Sequence, residues 1–173
     1  MKTINLIALV AVAALLAGCG EKKETAGIKE AAKEFVATAP AGEPASISKA
    51  RTQFKAGDNV LLQGLVMGTM HPFVEGRAVF VLGDEEVLTP CDERPDDGCP
   101  TPWDVCCDAP EAKAAGTATI QILGEDGKPL KTGVKGMNGL KELSRVTVEG
   151  TVDDRSSPEA FIVNATAIHV GLR

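Results

Sequence analysis

Tyrosine is absent from this chain of 173 residues, and aromatic side chains of all kinds make up 3% of it. A surface that grips single-stranded nucleic acid needs rings for the bases to stack on. It also needs positive charge to meet the phosphates. The chain has 18 basic against 24 acidic side chains, a formal charge of −6, so both requirements fail and nucleic acid is excluded as a partner. Histidine is nearly missing too, with His71 and His169 the only two. No Ser-His-Asp set can be placed, and no Gly-rich phosphate loop precedes a helix. No catalytic residue is assigned, and the chain reads as a non-enzyme. The Cys-x-x-Cys spacing of zinc knuckles, dithiol redox sites and haem attachment does not occur. Beyond the N-terminus no apolar run is long enough to cross a bilayer.

What is present starts at the N-terminus. Lys2 supplies one positive charge, and residues 4–17 are apolar apart from Asn5. Such a segment is a secretory signal, too short for a comfortable span. It ends in Leu16-Ala17-Gly18-Cys19. Ala17 and Gly18 are small enough for a peptidase cleft, and Cys19 offers a thiol for acylation. This run resembles the lipobox of bacterial lipoproteins. The resemblance implies diacylglycerol on Cys19, cleavage before it and a fatty acyl chain such as palmitate on the new N-terminus. Each buried methylene of such chains contributes ~0.8 kcal/mol, so three chains would anchor firmly where one would not. The alternative is an ordinary signal peptide with an incidental cysteine. Gly20 stands where an inner-membrane retention Asp would be, so the resemblance implies the periplasmic side of the outer membrane within the cell envelope. The expected organisation is a signal peptide over 1–18, a tether over 19–45 and a domain over 46–173. Within the tether, residues 28–36 have a helical apolar period, and Pro40, Gly42 and Pro44 mark a linker.

Ser46 is placed to cap a short helix that carries Ile47, Ala50 and Phe54. Five strand signals follow. The first covers 60–68 and is apolar on both faces: Val60, Leu62 and Val66 alternate with Leu61, Leu65 and Met67. It should therefore be covered on both sides. The second covers 77–82. The third, 117–123, points Ala118, Ile120 and Ile122 inward and Thr117, Thr119 and Gln121 outward. The fourth, 145–152, points Val146, Val148 and Val152 inward and Thr147, Glu149 and Thr151 outward. In the fifth, 161–170, the alternation slips between Ala165 and Ile168, which suggests a bulge. Between the third and fourth, residues 139–143 leave room for one helical turn whose leucines could plug a barrel end.

Five short strands with bending glycines in the first suit a small closed barrel. The chain here resembles the OB-fold, and in particular the periplasmic OB-fold proteins of bacteria. The residues that carry this are Ser46-Ile47-Ser48-Lys49-Ala50, then Gly57-Asp58-Asn59-Val60-Leu61-Leu62-Gln63-Gly64-Leu65-Val66. The strand Val79-Phe80-Val81-Leu82-Gly83-Asp84 ends in Asp, and Val146-Thr147-Val148-Glu149-Gly150-Thr151-Val152-Asp153 completes the pattern. The likeness spans about residues 46–170. It implies a mainly β, five-stranded OB-fold-like barrel with short N-terminal helices. The chain departs from that pattern by a Cys-rich insertion between strands 2 and 3, about residues 85–116. Its Cys99-Pro100-Thr101-Pro102-Trp103-Asp104 and Cys106-Cys107 are similar to a core found in other bacterial lipoproteins, a resemblance that supplies no function.

The insertion holds four cysteines, Cys91, Cys99, Cys106 and Cys107, with spacing C-x7-C-x6-C-C. An exported protein meets an oxidising compartment, where an even count favours disulfides. Adjacent Cys106 and Cys107 rarely pair with each other, because the small ring is strained. That leaves 91–106 with 99–107, or 91–107 with 99–106, each worth ~2–3 kcal/mol. No metal or cofactor is expected on this reading. The alternative is a site for zinc or copper, or a redox centre, on the same four thiols. Asp92, Glu93, Asp96, Asp97, Asp104 and Asp108 are also potential calcium donors, but they lack the D-x-D-x-D-G order and read as a solvated acidic loop.

Met70-His71-Pro72-Phe73 follows the first strand, in the loop that flanks the ligand face of OB-folds. Met67, Met70 and His71 are a conceivable copper set, with a simple turn at Pro72 preferred. Trp103 is expected to pack over the barrel and hold the insertion down, or else to anchor a partner. His71, Phe73 and Trp103 are therefore the candidate binding surface. The reading is a lipid-anchored, non-catalytic binding module for a protein or small ligand. The alternatives are a metal or thiol redox protein and a structural envelope protein.

Overall fold

Strand order decides the architecture. The computed structural model describes residues 19–94 and 98–171, so the segment 1–18, expected to be a signal peptide, and Asp96 and Asp97 lie outside the described residues. Among the described residues five strands are present: β1 (Asn59–Leu65), β2 (Val79–Gly83), β3 (Thr117–Gln121), β4 (Arg145–Val152) and β5 (Ile162–Gly171). They close into a barrel in the order β1-β2-β3-β5-β4. All pairs are antiparallel except β3 with β5, which run parallel from Thr119↔Ile162 to Gln121↔Asn164. This is a mixed, OB-fold-like five-stranded barrel. The helices are α1 (Cys19–Ala31), α2 (Ile47–Gln53) and α3 (Pro110–Gly116), and the Cys-rich insertion lies between β2 and β3.

The barrel is filled from the alternating positions. Leu62, Phe80, Leu82, Ile120, Val146, Val148, Val163 and Ile168 are all buried in one cluster. Both faces of β1 are covered, as its sequence requires. Leu65 points away from the barrel interior into a second cluster with Met67, Leu88 and Val105, beneath the insertion. The slip in β5 is a bulge: Glu149 pairs with Ala167 and Gly150 with Ala165, leaving Thr166 as the extra residue. Gly150 is required opposite it, because a Cβ there would lie 2.3 Å from the Asn164 carbonyl oxygen.

Two outward positions differ from the alternation. Gln121 and Thr147 are 4% and 6% exposed. Gln121 Nε2 donates to Asp153 Oδ2 at 3.0 Å and to Asn164 Oδ1 at 2.6 Å, and Gln63 Nε2 donates to Thr147 Oγ1 at 3.2 Å. Polar neighbours on the outer face cover them, so burial there is by hydrogen-bonded contact rather than by the core.

The strand edges left by short pairing are covered by chain that precedes the barrel. β1 meets β2 only at Leu65↔Gly83. Ala45 occupies the open edge of β1, donating to Leu61 O at 2.8 Å and accepting from Gln63 N at 3.1 Å. Phe35 bridges to Ile168 on β5, and Val36 N donates to Ile168 O at 2.9 Å. Ala31 and Phe35 join the main cluster, so the segment read as a tether is laid on the barrel from Ala31 onward. α2 packs on the barrel core through buried Ile47 and Ala50. Leu140 adds to the same core, but the turn expected over 139–143 lies earlier, as a short 3-10 turn at Met137–Gly139. Leu143 instead turns toward the second cluster, at φ 62°.

Ser46 sits at the N-cap of α2, yet its side chain makes no cap bond. Asp84 does this work from the far end of β2: its Oδ2 accepts from Ser48 N at 2.8 Å and its Oδ1 from Glu86 N at 2.9 Å. The carboxylate is 1% exposed, and these bonds compensate its burial.

Candidate functional site: the cysteine insertion and its clasp

Pro90 leads into a 3-10 turn, Cys91–Glu93, that carries the first thiol. This turn is tied to the second half of the insertion by Cys91 N to Asp104 O and Asp92 N to Pro102 O, both 2.9 Å. Asp108 Oδ2 accepts from Thr89 N at 2.9 Å, and its other oxygen pairs with Arg94. Asp104 Oδ1 accepts from Val105 N at 2.8 Å. Two of the acids of this loop, Asp104 and Asp108, are thus spent on bracing it. Val105 is fully buried in the second cluster, which seats the insertion on the outer face of β1.

This bracing brings thiols together that are up to fifteen residues apart in sequence. Cys91 Sγ lies 3.7 Å from Cys106 Sγ. The sulfurs of Cys91, Cys99 and Cys106 all lie within 4.8 Å of one another. Cys107 Sγ is 3.8 Å from Cys106 Sγ. The 3.7 and 3.8 Å separations exceed the ~2.05 Å of a disulfide bond, and no disulfide joins the four insertion cysteines among the described residues. Cys91 is 4% exposed, Cys99 is half-buried, and Cys106 and Cys107 are exposed. Cys99 Sγ also contacts Thr101 Oγ1 at 3.3 Å, and Lys113 Nζ donates to Cys106 O at 3.4 Å.

Trp103 is half-buried and packs on the second cluster. Its Nε1 donates to Met70 O at 3.0 Å, and its carbonyl accepts from Gly68 N at 3.2 Å. One indole therefore joins the insertion to the β1–β2 loop. Of the candidate binding residues, His71 is exposed on that loop beside the clasp. Phe73 is turned inward instead: it bridges to Phe80, with ring centroids 6.2 Å apart, and Lys135 lies over its face at 5.6 Å. Of the possible copper set Met67, Met70 and His71, Met67 is fully buried in the second cluster, whereas Met70 and His71 are exposed. His169 is half-buried on β5, with Nδ1 3.3 Å from Val36 O.

Sequence reasoning missed a second polar centre at the opposite strand ends. Asp153 is buried and accepts from Gln121, from Arg155 Nε at 2.7 Å and from Arg155 N at 2.9 Å. The Arg155 guanidinium holds this carboxyl well below the usual carboxylate range. With Thr151, Asn164 and Gly57 these groups line an open depression. The only local signal was the position of Asp153 at the end of β4. Its bonds are satisfied within the chain, so the centre reads as a brace.

No protein-family model matches the chain, and no curated protein matches it either. Among solved structures the chain is similar to the hypothetical protein ygiW from E. coli, at 13% identity and a TM-score of 0.39. That likeness covers 76% of this chain and 94% of the other. It stands as a likeness only, and the OB-fold-like assignment rests on strand order and register.

Proposed function

We propose that this protein is a lipid-anchored, extracytoplasmic, non-catalytic binding module whose working part is the Cys-rich insertion together with the β1–β2 loop. The supporting observation is the Trp103 clasp, which bonds to both Gly68 and Met70 and makes one face of two loops. Met70, His71 and Val74 are exposed on that loop. A rigid barrel that presents loops is a common way to build a recognition site, because the loops are held while the scaffold pays no conformational cost on binding. Anchoring follows from the lipobox-like run at Cys19, and the outer membrane is the expected destination.

Two measurements test this. Mass spectrometry of the mature N-terminus should find an acylated Cys19, and Cys19→Ala should release the protein from membranes or block its processing. An N-terminus elsewhere, with Cys19 unmodified, would remove the anchor from the proposal. Capture from native membranes should then be compared between the natural chain and a Met70→Glu, Trp103→Ala variant of unchanged circular dichroism. Loss of the captured species in the variant is expected. Equal capture by both would show that this face is not the recognition surface.

A further inference from the structure

We infer that the insertion binds one thiophilic d10 metal ion, zinc or monovalent copper, through the thiolates of Cys91, Cys99 and Cys106. The inference rests on the insertion being the working part of the protein, and it names the ligand class for it. Three thiols converge where the chain gives each a different exposure. Cys91 is the buried anchor, Cys99 stands half-buried and Cys106 faces solvent. Sulfur atoms bound at ~2.3 Å to one tetrahedral ion lie about 3.8 Å apart. The Cys91–Cys106 separation of 3.7 Å has that span, and the third sulfur lies within 4.8 Å of both. Among the described residues this is the only group of three or more His, Cys, Asp or Glu side chains whose donor atoms converge so closely.

The donors are soft, which selects zinc and monovalent copper over calcium or magnesium. The backbone is braced before any ion arrives, through the Cys91–Asp104 and Asp92–Pro102 bonds. Little ordering is therefore left for binding to drive. The Lys113 ammonium is bonded to the main-chain carbonyl of Cys106, and its charge there offsets part of the negative charge that three thiolates leave on the site. Binding transfers no electrons: each coordinating thiol gives up its proton to solvent as a sulfur–metal bond forms.

Cys107 separates the two ions. It lies 3.8 Å from Cys106 but outside the mutually close trio. Structural zinc sites take four ligands, so zinc requires Cys107 to turn in as the fourth. Monovalent copper is satisfied by the three thiolates, and Cys107 is then dispensable.

The test uses the full mature chain, reduced with a thiol-free reductant under anaerobic conditions. It is titrated with zinc ion in one arm and with monovalent copper in the other, against a chromophoric chelator, and the metal content is measured after desalting. One ion per chain is expected in at least one arm. Cys91→Ser and Cys99→Ser should each weaken retention by more than about tenfold. Cys99 is half-buried, so its variant keeps the test valid if the Cys91 variant unfolds, and far-UV circular dichroism checks both. Cys107→Ser should abolish a zinc site and leave a copper site intact. The inference is overturned if the folded, reduced chain retains neither ion. It is equally overturned if Cys107→Ser removes copper as fully as Cys99→Ser does, or if the protein isolated anaerobically from native membranes carries a Cys91–Cys106 cross-link. Failure here leaves the capture experiment on the Met70 and Trp103 variant unaffected, because that variant keeps all four thiols.

Discussion

Removing the Asp84 carboxylate should loosen α2, the helix packed on the barrel core. Two backbone N–H groups, those of Ser48 and Glu86, donate to its two oxygens at 2.8 and 2.9 Å, and the residue is 1% exposed. Asp84→Ala leaves both donors without their acceptor. An orphaned donor costs about 1–3 kcal/mol when fully buried; Ser48 is half-buried and Glu86 exposed, so water relieves part of this and a total of ~2–4 kcal/mol is expected. For a domain of this size that is a drop in Tm of roughly 5–15 °C. Asp84→Asn keeps one accepting oxygen and turns an amide toward the other donor, so it should cost about half as much. Ser46→Ala is the control: its hydroxyl makes no cap bond, and the loss should stay below ~0.5 kcal/mol. Urea unfolding followed by far-UV circular dichroism and by fluorescence of Trp103, the single tryptophan, reads barrel and insertion separately. The reasoning is refuted if Asp84→Ala costs less than ~1 kcal/mol, or if Ser46→Ala costs as much.

Val148 is fully buried in the barrel, so Val148→Asp should unfold the domain, seen as loss of the cooperative urea transition. Thr147 is buried on the other face and bonded to Gln63, so Thr147→Asp should also destabilise, by less; full tolerance would contradict the observed cover. Gly150→Ala places a Cβ 2.3 Å from the Asn164 carbonyl and should lower Tm by several degrees through local displacement at the bulge. Asp153 has its proton affinity lowered in the folded state by Arg155. Its stabilising contribution is therefore complete above the unfolded carboxylate value of ~3.9 and is lost as pH falls below it. Asp153→Asn should flatten the loss of stability between roughly pH 5 and 2, measured as urea midpoints against pH, and an unchanged acid slope would count against the pairing.

The period of the strands was legible because alternation is a local property: Val146, Val148 and Val152 point inward, and the slip near Thr166 is a bulge. Two apolar faces on β1 demanded cover on both sides, and the insertion supplies the second cover through Val105 and Leu88. The four insertion thiols were legible as residues, but not their grouping. Cys91 and Cys99 approach Cys106 only because backbone bonds fold the loop across itself. The cap of α2 could not be read locally either, since Asp84 lies 36 residues from Ser48 and displaces the nearer Ser46 from that role. The same holds for Ala45 and Phe35, which fill strand edges whose existence depends on how few residues β1 shares with β2 and β3 with β5. Side-chain period is dictated by neighbours two to four residues away, so composition and order determine it. Which donor satisfies which acceptor, and which thiols share one volume, is decided when segments apart in sequence pack, within the insertion as well as around the barrel.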